Sequence, residues 1–303
     1  MREPALVRFL ADGRRLHLHD GPIDLIVEAF GPDDEIRAAY HAATRRFAGV
    51  LDELCGELPL LRQAARPEDS PLQGSVARRM AAAVAPFAAQ TFITPMAAVA
   101  GAVAEEILEA MTSAAMLARA YVNDGGDIAI HLAPGEQFVV GLISRPDDPA
   151  LFGKATLDAS EPVRGIATSG WRGRSFSLGI ADAVTILAER AAMADAAATV
   201  IANAVDLPDH PEIVRVPACE ISPDNDLGER RVTRGVGRLS AHELSAALDS
   251  GEAKARALLA SGLIRAAAIL LLGKTRVVGL PAADRKFAAL PAGIHISRSR
   301  LHA

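Results

Sequence analysis

Cysteine and aromatic residues are scarce in this chain, and each shortage excludes something. Its 303 residues include two cysteines, Cys55 and Cys219, too few for a disulfide framework; they read as thiols of a reducing, cytoplasmic compartment. Aromatic side chains make up 4% of the residues and tryptophan occurs once, which leaves no platform on which successive bases would stack. Basic residues are outnumbered, 32 Lys and Arg against 37 Asp and Glu, so a cationic face is not expected and nucleic acid is not an expected partner. No long apolar run follows the opening Met-Arg-Glu-Pro, so no signal peptide is expected. Residues Ala81 to Ala104 carry no charge, but the stretch is mostly alanine, is interrupted by Pro86 and Pro95, and is poor in the Leu, Ile and Phe that drive membrane insertion. Small-residue helices packed in a core are the expectation there, not a membrane span.

What is present is an ordinary globular mixture, 50% apolar and 23% charged, in a chain long enough to bury about three quarters of its unfolded surface. A single domain over 1–303 is expected, with approximate halves 1–150 and 151–303. Strands read at Ala5–Ala11, Arg14–Leu18 and Ile23–Ala29, joined by Asp12-Gly13 and Asp20-Gly21-Pro22 turns. A helix follows from Asp33, with apolar residues recurring on one face and Gly56 and Pro59 as its stop. After a connector at Pro67–Gln73, helices read at Val76–Ala89 and Met96–Glu109, with a short piece at Thr112–Ala118. A β-meander follows, ending in Phe138–Ile143. Further strands are expected at Lys154–Leu157, Arg164–Thr168, Ser175–Leu178, Ala183–Leu187 and Glu212–Ile221, and a helix at Ala194–Ala204. Asp224–Arg238 reads as a loop, Ser240 with Glu243 as a capping box, and Arg265–Leu280 as a hairpin. Helices alternating with hairpins argue for antiparallel sheet covered by helices, an α+β fold.

The candidate chemistry lies between Asn123 and Asn203. Asn123-Asp124-Gly125-Gly126-Asp127 sets two glycines between strands; they permit positive φ and keep Cβ atoms away from a flat ligand, or they make a tight hairpin turn and nothing more. Gly165-Ile166-Ala167-Thr168-Ser169-Gly170 ends in two hydroxyls and bare amides suited to phosphate oxygens, or in a hydrogen-bonded strand-end turn. Trp171 follows, able to stack on a heterocycle or to fill the edge of a core. Ala183-Val184-Thr185-Ile186 reads as a strand. In Ala194-Asp195-Ala196-Ala197-Ala198-Thr199 the Asp and Thr oxygens share a helix face one turn apart. That pair suits Mg²⁺, and a helix cap accounts for Asp195 equally simply.

In order and approximate spacing these segments resemble the ApbE flavin-transferase superfamily, and most of all an uncharacterised bacterial and archaeal ApbE-like group rather than the transferases proper. The resemblance implies a T-fold-related body of two similar halves, with antiparallel sheets and helices packed on them. It implies a cleft between the halves, lined by Asn123–Asp127, Thr168–Trp171 and Asp195–Thr199, in which Asn123, Gly125, Gly126, Thr168, Ser169, Gly170 and Trp171 contact FAD or FMN, and Asp195 and Thr199 hold Mg²⁺. Two departures bear on activity. Thr94–Gly101 stands where the transferases carry a Gly-Gly pair and a lysine, and it has neither. Arg174–Asp182 stands where they carry a His-x-x-Asp-Pro stretch, and it has no histidine. Arg174 is therefore the candidate phosphate fork and Asp182 the candidate base, with a solvent-facing turn as the alternative for Asp182. The function implied is a Mg²⁺-dependent enzyme acting on a flavin or related nucleotide-like heterocycle; the alternative is a non-catalytic protein that binds such a ligand. The Met96–Glu109 helix is suited to packing within a subunit or across a homodimer. Outside this region, His17 and His19 alternate on one strand face without a third metal ligand nearby. His131 reads as a surface or cleft residue, and Arg230, Arg231 and Arg234 as a solvated loop.

Overall fold

The computed structural model describes residues 5–66, 71–143 and 151–279; part of the expected Pro67–Gln73 connector and Leu280 of the last expected strand lie outside them. β1 (Leu6–Phe9) and β2 (Leu16–Asp20) pair antiparallel. Their turn is wider than the Asp12-Gly13 dipeptide alone: the Leu10 amide donates to the Arg15 carbonyl, and Asp12 Oδ1 accepts from the Arg14 and Arg15 amides at 2.9 and 3.0 Å. β3 (Ile23–Phe30) returns through Gly21 at φ +57°. Leu16, Leu18, Leu25 and Val27 are buried, so the period-2 pleat turns His17, His19 and Asp24 to the opposite face.

α1 (Asp33–Leu61) runs through Gly56 and Pro59, both expected to end it. Pro59 sits in the last turns, where its missing N–H costs one ladder bond, and the buried Phe47, Val50, Leu51, Leu54 and Leu61 hold the helix on the core. α2 (Ser75–Ala88) is followed by a 3₁₀ turn at Pro95–Ala98 and then by α3 (Val99–Ala114), continuous through Thr112. β4 (Arg119–Asp124) and β5 (Asp127–Leu132) form a hairpin. The expected meander stops there, because β6 (Gln137–Ile143) pairs with β7 (Leu151–Asp158) in a separate two-stranded sheet. β8 (Gly165–Ser169) and β9 (Ala183–Ala188) pair antiparallel. Ser175–Leu178 between them is irregular rather than a strand: the Leu178 amide is taken by Asn203 Oδ1 at 2.9 Å, which leaves it no ladder partner.

α4 (Ala191–Ala204) follows, then β10 (Ile213–Pro217), a single helical turn α5 (Ala218–Ile221), and β11 (Arg231–Val236). β11 lies inside the stretch read as a loop; it pairs with β10, so Arg231 and Arg234 are strand residues, while Arg230 lies 3.3 Å over the Phe92 ring. α6 (Ala241–Ala260) opens with both bonds of the Ser240–Glu243 capping box, and β12 (Ala266–Leu271) and β13 (Lys274–Val278) close as a hairpin.

Among the described residues the main sheet has nine strands in the order β1-β2-β3-β4-β5-β8-β9-β12-β13, with every neighbouring pair antiparallel. The principal core lies between this sheet and the helices. A smaller cluster, with Ile130, Leu132, Ile166 and Leu187 of the sheet and Leu157 of β7, covers the other face. This is the expected α+β mixture of antiparallel sheet and helices. No helix among the described residues is long and apolar enough to cross a membrane. In the middle of the sheet β5 lies beside β8, and the site is built at that junction.

A carboxylate cluster at the central strand ends

β4 and β5 are joined by Gly125 and Gly126 alone, at φ +62° and +119°, with Asp124 opposite Asp127 across the turn. This is the two-residue hairpin connection that glycine permits. Asn123 Oδ1 accepts the Gly126 amide at 2.8 Å and holds the turn shut. Gly125 also has a side chain lying against it. A Cβ there would lie 2.1 Å from Arg174 Nη2, so the exposed Arg174 reaches back from the β8–β9 connection and lays its guanidinium on the bare turn. On the neighbouring strand end, the Thr168 amide donates to Asp127 Oδ1 at 3.0 Å. Thr168 Oγ1 is shared with Thr185 Oγ1 at 2.9 Å across the β8–β9 ladder. Gly170 is buried, and a Cβ there would meet the Asp182 carbonyl at 2.4 Å; its bareness serves a close backbone approach.

Asp195 is not the cap of its own helix. Arg190 holds the N-cap position of α4, with no side-chain cap bond, and Asp195 lies in the following turn. Its carboxylate is aimed at another helix: Oδ2 accepts the Gly101 amide at 3.1 Å, and the Ala100 amide also bonds to it. These are among the unsatisfied N–H groups at the start of α3, so Asp195 caps α3 from across the interface. The approach is possible because Gly101 lacks a side chain; a Cβ there would lie 2.4 Å from the Ala191 carbonyl. Gly165 of β8 plays the same part on the other flank, where a Cβ would lie 2.3 Å from the Ala191 nitrogen. The Thr94–Gly101 stretch, which lacks a lysine, thus supplies helix-end amides beside Asp195. Thr199 is half-buried one turn further along α4.

The charges of Asp124 and Asp127 are felt along the cluster as far as Asp195. Burial pushes Asp124 up to about 7, with the Asp24 amide and Arg174 pulling it down and the Asp24 charge raising it. Asp127 is also raised, by burial first and by Asp124, against the Thr168 amide and Arg174. Asp195 is raised well above the usual carboxylate range by burial first, then by Asp127, against the Gly101 amide. The sequence places Asn123–Asp127 and Asp195 along the expected cleft but assigns Asp124 and Asp127 no role of their own. The available signal was the Asp-Gly-Gly-Asp order itself, because a two-residue turn brings its flanking residues face to face.

Asp182 is buried at 7% exposure rather than solvent-facing. One oxygen accepts from Trp171 Nε1 at 3.2 Å and Arg172 Nε at 2.7 Å, and the other from the Leu272 amide at 2.6 Å. Arg172 lies 4.4 Å over the Trp171 ring, so one indole face is covered by a neighbour. His131 binds the Leu117 carbonyl through Nε2 at 3.1 Å, near the β5 end opposite the glycine turn. A shallow surface hollow of about 450 Å³ lies elsewhere, lined by Ala42, Arg45, Arg46, Ala110, Ser113 and Ala114.

The fold and this cluster define a mixed α/β protein with a polar, glycine-cleared site at the centre of an antiparallel sheet. The chain belongs to the family described as AbpE bacteria, whose model matches residues 7–277. It is similar to UPF0280 protein MK0206 of Methanopyrus kandleri, 41% identical over 160 residues covering 52% of this chain and 61% of the relative. It is also similar to a UPF0280 protein of Methanothrix thermoacetophila, 35% identical over 158 residues covering 51% and 63%. The matched stretches therefore span less than two thirds of these relatives' own length. Among solved structures, the apo form of the Pseudomonas stutzeri flavinyl transferase ApbE aligns over 67% of this chain and 84% of its own, with 12% identity and a TM-score of 0.39.

Proposed function

We propose that the strand-end site binds a flavin or related nucleotide-like heterocycle together with Mg²⁺, and that the protein acts on that ligand as an enzyme. The observation that carries this reading is Asp124 facing Asp127 across the Gly125–Gly126 turn, with Arg174 laid against that turn and the Asp127 charge felt by Asp195 on α4. Asp124 is buried and Asp127 and Asp195 are half-buried, and carboxylates with little access to water whose charges oppose one another are held in check by protons or by a cation. An all-oxygen donor set with a nearby hydroxyl suits a hard ion, so Asp195, Asp127 and Thr199 are the residues that would hold Mg²⁺. Such an ion supplies neutralisation of phosphate charge. Arg174 would grip a phosphate as a fork, and Gly125 and Gly126 would admit a flat ring. The segments that resemble the ApbE superfamily supply the flavin part of this reading. The two hairpin–helix–hairpin runs, β2 to β5 and β8 to β13, we read as similar halves of a T-fold-related body.

Incubation with FAD and Mg²⁺ followed by chromatography for FMN and AMP tests the enzyme. The expected outcome is FMN and AMP from the native chain and neither from Asp195→Asn; unchanged FAD with no flavin affinity would remove the flavin reading. A second reading, a binder without turnover, is favoured by Asp182. The candidate base is already engaged by Trp171, Arg172 and Leu272, and a carboxylate held by three donors is poorly placed to take a substrate proton. Tight FMN or FAD binding with no product, unaffected by Asp182→Asn, distinguishes that reading.

A further inference from the structure

We propose that His17, His19 and Asp24 form a binding site for a divalent cation of the zinc class, separate from the carboxylate cluster. The strand pleat puts His17 and His19 on the face of β2 turned away from Leu16 and Leu18. The β2–β3 register sets Asp24 directly opposite His19 and diagonal to His17. Asp24 reaches both: His17 Nε2 lies 2.7 Å from Oδ1, and His19 Nδ1 lies 3.8 Å from Oδ2. One ligand atom from each residue lies within 4.8 Å of the others. Atoms bound to a single zinc-class ion sit about 3–3.5 Å apart, given bonds of about 2.0–2.2 Å, so small side-chain rotations close the set.

Two further observations point the same way. His19 Nδ1 is shut off from solvent and has no hydrogen-bond partner, whereas a buried imidazole nitrogen is normally satisfied. Its side chain as a whole is nonetheless 45% exposed, which leaves a path for an ion from solvent. Two imidazoles and one carboxylate make an N,N,O donor set that favours Zn²⁺, Co²⁺ or Ni²⁺ over Mg²⁺ and Ca²⁺. Three protein ligands also leave a coordination position open.

One neighbour opposes the ion. Arg8 Nε donates to His17 Nδ1 at 3.2 Å, which places the imidazole proton on Nε2, facing Asp24. A metal at Nε2 needs that proton on Nδ1, so the exposed Arg8 must turn away before the site fills, and its charge repels the cation meanwhile.

The test uses the whole 303-residue chain after treatment with a chelator. Co²⁺ titration is read by visible absorbance, and Zn²⁺ binding by equilibrium dialysis. In the Asp195→Asn background, which removes the carboxylate cluster as a competing site, one ion per chain is expected, held at least about tenfold more weakly when His19→Ala or Asp24→Asn is added, and held more tightly when Arg8→Met is added. The proposal is overturned by the lack of saturable binding in that background, or by binding that survives His19→Ala and Asp24→Asn. The Arg8→Met arm predicts a gain, which a misfolded variant cannot imitate, and a failure to gain counts against the site.

Discussion

Asp195 answers two demands that pull in opposite directions. The Gly101 and Ala100 amides favour its negative charge, while burial and Asp127 disfavour it. Asparagine keeps an oxygen for the amides and removes the charge, so Asp195→Asn should raise the melting temperature near pH 8 without added cation and abolish any stabilisation by Mg²⁺. Melting curves with and without Mg²⁺ measure both, and a variant that still responds to Mg²⁺ would remove Asp195 from the metal-holding set. Gly101→Ala should destabilise by about 1–3 kcal/mol, the usual cost of overpacking, because its new methyl would meet the Ala191 carbonyl at 2.4 Å; urea unfolding at equilibrium checks this. At this scale the sequence showed which residue types matter and seldom what they touch. The Asp195–Gly101 contact joins positions 94 residues apart, and Asp24 escaped notice because it comes from the strand next to His17 and His19. Asp182 reads as a turn residue by its neighbours in sequence, but the Leu272 amide that binds it belongs to the distant β12–β13 turn.

Elements with strong local chemistry were legible. The Ser240–Glu243 box, the Gly21 and Gly125–Gly126 turns and the β12–β13 hairpin form where their residues demand it. Ser240→Ala should therefore cost about 0.5–2 kcal/mol, seen as a lower urea midpoint with unchanged slope; no change would mean that the cap bond is replaced by solvent. Elements decided by tertiary contacts were not legible. α1 overrides Gly56 and Pro59 because its apolar face is anchored on the core. β11 forms in a charged stretch because β10 offers it a partner, and Ser175–Leu178 forfeits its ladder to Asn203.

For the molecule as a whole, the raised carboxylates make stability depend on pH with a definite sign. Asp124 titrates at about 7 when folded and near 4 when unfolded, so the folded state holds the proton more tightly between those values. Its stabilising contribution is complete below about pH 4 and is lost as pH rises through about 7; Asp127 and Asp195 shift in the same direction. The melting temperature should fall from about pH 5 to about pH 8 in the absence of divalent ions, and Asp124→Asn should flatten that fall. A flat profile in the native chain would argue that these groups are solvated.

The meeting of β5 and β8 has a dynamic consequence. The ladder there comprises Ile128 opposite Ile166 and Ala129 opposite Gly165, while β3 and β4 pair continuously from Leu25 opposite Asp124 to Phe30 opposite Arg119. Opening that short zip costs less than opening any long one, so amide protons of Ile128 and Thr168 should exchange with deuterium ahead of those in the flanking hairpins. A ligand that bridges the two strand ends would lock the zip and slow that exchange, which makes the middle of the sheet a sensor of occupancy.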